Sequence, residues 1–275
     1  MTTSKTVPDL FEWQRARLEQ LRNFNFKSAR SKSVTVVVYH FWDEAVFDTR
    51  FDAVECAIYE TWRHCGSLKT RIVVNRVTPH VEAFAEKYGR IVDLCVNPSL
   101  LPSDIPSMSV DCNANLHRYF DTDEVLVIQN DGFPLRFGLD EFEGLYDYVG
   151  APFVRQTKFN RLMGLWPRFA VGNGGFSLRS KRICEMASFY WNKRYHWMPR
   201  KWWFVREDFF YCVLLPFLES KVRKTVSFAP LDAALRFSYD SLYGESLDVL
   251  PFGFHGNGAF KYLVECGLLD LNGIK

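Results

Sequence analysis

Four polar islands set in apolar sequence carry the side chains that could do chemistry. The first closes an apolar run, Val125-Leu-Val-Ile-Gln129-Asn130-Asp131-Gly132. Four apolar residues in succession predict a strand buried on both faces, and the glycine ends it. Asp131 then stands at a strand tip, where open α/β sheets collect ligands and where a carboxylate can hold a cation. Asp-Gly is equally a turn pair, so this segment alone leaves both readings open. The second island, Gly172-Asn173-Gly174-Gly175, reads as a glycine-rich turn that lets backbone approach a ligand, with Phe-Ser-Leu-Arg after it as a strand. In the third, Glu207 and Asp208 open an apolar helix. Acids there cap a first turn, or one of them, buried beside aromatics, gains proton affinity and serves as a general base. The fourth holds His255 between Phe254 and Gly256, as a structural imidazole or as a ligand.

These groups need a scaffold, and the chain supplies an alternating one. Residues 9–27 set Leu10, Trp13, Leu18 and Leu21 among charges, which predicts an amphipathic helix lying on the domain or on a partner subunit. Strands are predicted at Ser33–His40, Thr70–Asn75 and Arg90–Val96, with helices at 50–65 and 79–88 between them. Alternation of this kind implies parallel pairing in a doubly wound sheet. Residues 97–110 contain three prolines and read as a long functional loop, followed by a helix at 111–120. Tyr146–Pro152 is a further short strand, and beyond it the pattern becomes irregular, tryptophan-rich and glycine-dense.

Composition removes several classes. With 34 Lys+Arg against 32 Asp+Glu the net charge is only +2, which argues against a nucleic-acid binder driven by bulk electrostatics. Aromatics make up 16% of the chain; most must build core, and the surplus suits stacking on sugars or bases. Seven cysteines without a Cys-x-x-Cys spacing read as buried thiols of a reducing compartment. No signal-peptide core is evident and the longest apolar run, Phe209–Leu218, is too short to span a bilayer, so a soluble cytoplasmic protein is expected. No dinucleotide fingerprint, P-loop or nucleophile elbow is present, and no Cys or His pair has zinc spacing.

Read together and in order, Gln129-Asn130-Asp131, Tyr146–Pro152, Val171–Ser180, Arg206–Phe210, Ala234–Ser238 and Pro251–Gly256 resemble a domain family of nucleotide-sugar glycosyltransferases long catalogued as a domain of unknown function. That family is similar to the GT-A superfamily, and the resemblance spans residues 33–257. It implies a single GT-A-like domain over 33–275, preceded by an N-terminal helix and linker over 1–32. Residues 33–145 would form a nucleotide-binding half, with a mostly parallel Rossmann-like sheet, and 146–275 an irregular acceptor-binding half.

The resemblance also implies roles. In GT-A enzymes the last carboxylate of an Asp-x-Asp reaches the donor diphosphate through Mn2+ or Mg2+. Here Asp131 and His255 would hold that ion, more weakly because Gln129 and Asn130 replace the first carboxylate. Asp208 would be the general base of an inverting transfer and Glu207 would bind acceptor hydroxyls. His40, Gln129, Asn130, Asp131, Asn173, Gly174 and Gly175 would line the donor, a nucleotide sugar such as a UDP-sugar. The acceptor would be a glycan or lipid-linked glycan. Tyr190–Arg206, with four Trp and a run of cations, is read as an acceptor wall with peripheral contact at the inner face of the membrane. A retaining transferase of the same fold and a catalytically silent sugar- or nucleotide-binding module are the rival readings.

Overall fold

The computed structural model describes residues 7–29, 31–152, 171–202, 205–240 and 246–271. Strand β1 (Val34–His40) is buried at every position, because a run without polar alternation offers no face to water. Val34, Val36 and Val38 enter one hydrophobic cluster and Val37 and Tyr39 the other, so the sheet separates two cores. Strands β2 (Thr70–Val74), β3 (Val92–Val96) and β4 (Glu124–Ile128) join it in parallel. With β5 (Tyr148–Pro152) and β6 (Val171–Ser180) they form a six-stranded sheet ordered β3-β2-β1-β4-β6-β5. Parallel pairing stops at β4: β6 runs antiparallel to both β4 and β5. The carboxyl ends of β1 and β4 therefore meet the beginning of β6 at one edge.

Four helices precede the second half: α1 (Leu10–Leu21), α2 (Phe47–Cys65), α3 (Pro79–Lys87) and α4 (Ile105–Asn115). The predicted loop at 97–110 is shorter than expected, since α4 already starts at Ile105. Pro106 is tolerated because the first helical turn has no internal use for its missing N–H, and the Asp104 carboxylate accepts from the Ser107 N–H at 2.9 Å. The glycine-rich island is not a turn but part of β6. Glu207 does open a helical stretch, which runs from Glu207–Phe209 through a widened turn at Phe210–Leu214 to Leu215–Leu218.

Helix α1 packs on its own chain. A capping box between Asp9 and Glu12 starts it, and Leu10, Leu18 and Leu21 are buried in the main core. Trp13 lies against the rings of Phe133 and Phe260, and Arg17 donates to Glu60 at 2.7 Å. A second, two-stranded parallel sheet pairs β7 (Ser238–Asp240) with β8 (Gly253–His255), and its register sets Asp240 opposite His255. All seven cysteines are free thiols, five of them buried. Among the described residues no helix is long and apolar enough to cross a membrane.

Candidate active site

At the carboxyl edge of β1 and β4 lies a cavity of about 500 Å³, a size that suits a small-molecule ligand. Asp131, Asp208 and His255, spread over more than a hundred residues of the chain, all line it, as do Gln129, Asn130, Asn173, Gly175 and Glu207. Gln129 and Gly132 exchange both backbone hydrogen bonds, at 3.3 and 3.1 Å, so Asp131 sits in a tight turn that is also a strand tip. The Asp-Gly pair is thus a turn at the end of β4. The turn is held from two sides: the Asn130 carbonyl accepts from Gln14 Nε2 of α1 at 2.6 Å, and the Asp131 carbonyl accepts from the Gly256 N–H at 2.8 Å.

His255 is oriented by a residue that sequence reasoning missed. Its Nδ1 lies 3.1 Å from Asp240 Oδ2. A carboxylate only accepts, so Nδ1 carries a proton and Nε2 turns to Gln129 Oε1 at 3.2 Å and Asp131 Oδ1 at 3.6 Å. Burial disfavours the charged ring, yet the Asp240 hydrogen bond and the charges of Asp131 and Asp240 prevail and raise the His255 pKa. Asp240 itself is fixed by Asn173 Nδ2 at 2.6 Å. A signal for it existed, since Asp240 follows the Ala234–Ser238 motif by two residues.

The glycines of β6 make room for these side chains. A Cβ on Gly175 would stand 2.1 Å from His255 Nε2, and one on Gly174 would stand 2.1 Å from Glu207 Oε1. Gly174, expected at the donor, does not line the cavity: its place is under Glu207, where only a hydrogen fits. His40 is a second correction. It is fully buried on the face of β1 opposite Tyr39, against the rings of Phe47 and Phe51, and stays outside the cavity. Burial drives its pKa down to about 3, which keeps the ring neutral. Tyr39, Phe41 and Trp42 face the cavity in its stead.

The two carboxylates at the head of the helix differ in surroundings. Glu207 is buried, accepts from Ser109 Oγ at 3.1 Å and pairs with the fully buried Arg179 at 3.8 Å. Arg179 in turn lies over the rings of Tyr148 and Tyr211. Among the described residues Asp208 makes no close ion pair, although the charges of Arg179 and Arg206 act on it. Desolvation, and then the neighbouring charge of Glu207, push its pKa up to about 7, while the Phe209 N–H holds one oxygen at 2.7 Å. Such a carboxylate can take a proton near neutrality.

A divalent cation fits part of this site. The Asp131 carboxylate and the Nε2 side of His255 face each other, and Asp240 backs the imidazole in the way that orients metal-ligating histidines. Among the described residues the group that brings three ligand atoms within 4.8 Å of one another lies elsewhere, at Asp52, Glu55 and His80. None of these lines the cavity, and Arg22 already bonds both carboxylates, at 3.4 and 2.7 Å. From the Tyr190–Arg206 segment only Arg206 reaches the cavity among the described residues. Trp191 and Tyr195 are core, Trp197 and Trp202 are exposed, and Trp203 and Phe204 lie outside the described residues.

The fold has solved counterparts. The galactosyltransferase LgtC, solved with donor and acceptor sugar analogs, matches at a TM-score of 0.50 and 15% identity over 80% of this chain and 86% of that one. Mouse xyloside xylosyltransferase 1 gives 0.47 and 11% over 82% and 97%. The mannosyltransferase PcManGT from Pyrobaculum calidifontis, in complex with GDP-Man and Mn2+, gives 0.35 and 14% over 64% of this chain, which spans about half, 54%, of that one. A six-stranded, mainly parallel sheet with helices on both faces and LgtC as a structural counterpart define a GT-A-type fold. Residues 109–255 match the family described as a protein of unknown function, DUF5672, and the chain belongs to that family. No curated protein matches it in sequence.

Proposed function

We propose that the protein is a glycosyltransferase that moves a sugar from a nucleoside-diphosphate sugar to an acceptor hydroxyl with inversion. The observation that carries this reading is that Asp131, His255 and Asp208 face one cavity, where burial raises the proton affinity of the Asp208 carboxylate. In the transfer, the acceptor oxygen forms a bond to the anomeric carbon as the bond to the diphosphate oxygen breaks. The leaving diphosphate takes the electron pair, and Asp208 accepts the hydroxyl proton. Glu207, tied to Ser109 and Arg179, keeps the proton affinity of Asp208 high by its charge and offers its cavity side to acceptor hydroxyls. Asp131 and His255 would hold a Mn2+ or Mg2+ ion, which as a Lewis acid supplies charge neutralisation on the leaving group. Gln129, Asn130 and Asn173 supply amides to the donor. The exposed Trp197 and Trp202, among Lys193, Arg200 and Lys201, suit an anionic glycan or lipid-linked acceptor at a membrane surface.

The test is isothermal titration with UDP-, GDP- and CMP-sugars with and without Mn2+, followed by donor turnover over an acceptor panel. A nucleoside-diphosphate sugar that binds and turns over is the expected result. Binding with no turnover on any acceptor would instead leave a sugar-nucleotide-binding module.

A further inference from the structure

The cavity has an excess of carboxylate. Asp131, Glu207, Asp208 and Asp240 all line it, an awkward environment for a diphosphate unless cations are set against them. Arg179 is spent on Glu207 and does not reach the cavity, and the charge of Arg206 acts on Asp208. Arg50, at the start of α2, is different. Arg50 lines the cavity, and its guanidinium carbon lies 4.7 Å from the centre of the Phe11 ring and 4.9 Å from that of Trp42. Among the described residues those two rings are its contacts, and it makes no hydrogen bond or ion pair. A planar cation held by rings keeps its charge and its N–H fork for an outside acceptor, and that fork matches the oxygens of a phosphate.

The clamp is also coupled to the strand-tip turn. Phe11 and Gln14 are three residues apart on α1 and so share one face of the helix. Phe11 meets Arg50, and Gln14, itself buried, bonds the Asn130 carbonyl next to Asp131. Trp42 follows β1 and Asp131 follows β4, which are parallel neighbours, so the clamp and the turn stand at the same sheet edge. We propose that Arg50, clamped between Phe11 and Trp42, binds the diphosphate of the donor directly, and that α1 builds this subsite. It supplies positive charge to a cavity lined by the amides of Gln129 and Asn130, and it acts without a metal. This rests on reading the cavity as a nucleoside-diphosphate-sugar site.

The experiment is titration of the full chain with inorganic pyrophosphate, UDP and GDP in EDTA and in Mn2+, alongside uridine and guanosine. Arg50→Met is expected to weaken pyrophosphate and nucleoside-diphosphate binding by about tenfold or more in EDTA, with nucleoside binding unchanged. Arg50→Lys should recover only part, since an ammonium lacks the planar fork, and it also serves should Arg50→Met fold poorly. Equal affinities of wild type and Arg50→Met for the phosphate ligands would overturn the Arg50 assignment and leave the donor reading standing. A loss that falls equally on the nucleosides would overturn it too, as a packing effect. Absence of any nucleoside-diphosphate binding by the wild type, with and without Mn2+, would overturn both.

Discussion

If Asp208 accepts the acceptor proton, activity must follow its ionisation. The carboxyl is raised from 3.8 to about 7, chiefly because it is desolvated and secondly because Glu207 is charged beside it. Half of the molecules then carry the base form near pH 7, and kcat/KM should fall about tenfold for each unit below that and level off above about pH 8. Two substitutions separate the causes. Asp208→Asn keeps the shape, removes the base and should lower turnover by about 10²- to 10⁴-fold, abolishing the acidic limb. Glu207→Gln removes the smaller cause only, so the limb should move to lower pH without reaching the ordinary range of an aspartate, because burial persists. The assay is release of nucleoside diphosphate, under kcat/KM conditions, from whichever donor the titrations identify. A wild-type limb near pH 4, or the same limb surviving in Asp208→Asn, would refute the assignment.

Glu124, at the opposite edge of the sheet, gives a test that needs no ligand. Burial, offset in part by the Gly144 N–H and reinforced by Glu143, Asp123 and Asp147, raises it from 4.5 to about 7. The folded state therefore holds this proton more tightly than the unfolded one, and stability falls as pH rises from 4.5 through about 7, by about 3 kcal/mol once complete. Urea unfolding at about pH 5 and about pH 8 should show that slope reduced in Glu124→Gln, and parallel curves would contradict it. Arg179→Met strands the buried Glu207 and should destabilise by about 3 to 5 kcal/mol, with most of the loss recovered in the Arg179→Met/Glu207→Gln double variant. Gly175→Ala forces the His255 ring aside and should remove any Mn2+-dependent gain in nucleotide affinity while leaving the metal-free affinity in place; an unchanged Mn2+ effect in titration would show that His255 does not hold the ion.

Much of the scaffold was legible because its causes are local. An unbroken, β-branched apolar run such as Val125–Ile128, ended by a glycine turn, reads as a strand covered on both faces, and strands of that kind alternating with helices pair in parallel and present their carboxyl ends together. That placed Asp131 at the carboxyl edge of the sheet, and the spaced motifs around Asp208 and His255 singled out residues that share its cavity. The failures are of another kind. His40 sits one residue after Tyr39, and side-chain parity on β1 turns it into the core while Tyr39 meets the cavity. Asp240 matters only because β7 and β8 pair in the register that sets it against His255. Spacing alone could not tell Glu207 from Asp208; Arg179, from β6, pairs with Glu207. Nor could spacing reveal that a ring from α1 and another from the end of β1 close on Arg50. Strand and helix formation is decided within a few residues, so the chain announces it; proton affinity and free charge are decided by whichever distant segments come within a few ångströms, and only folding chooses those.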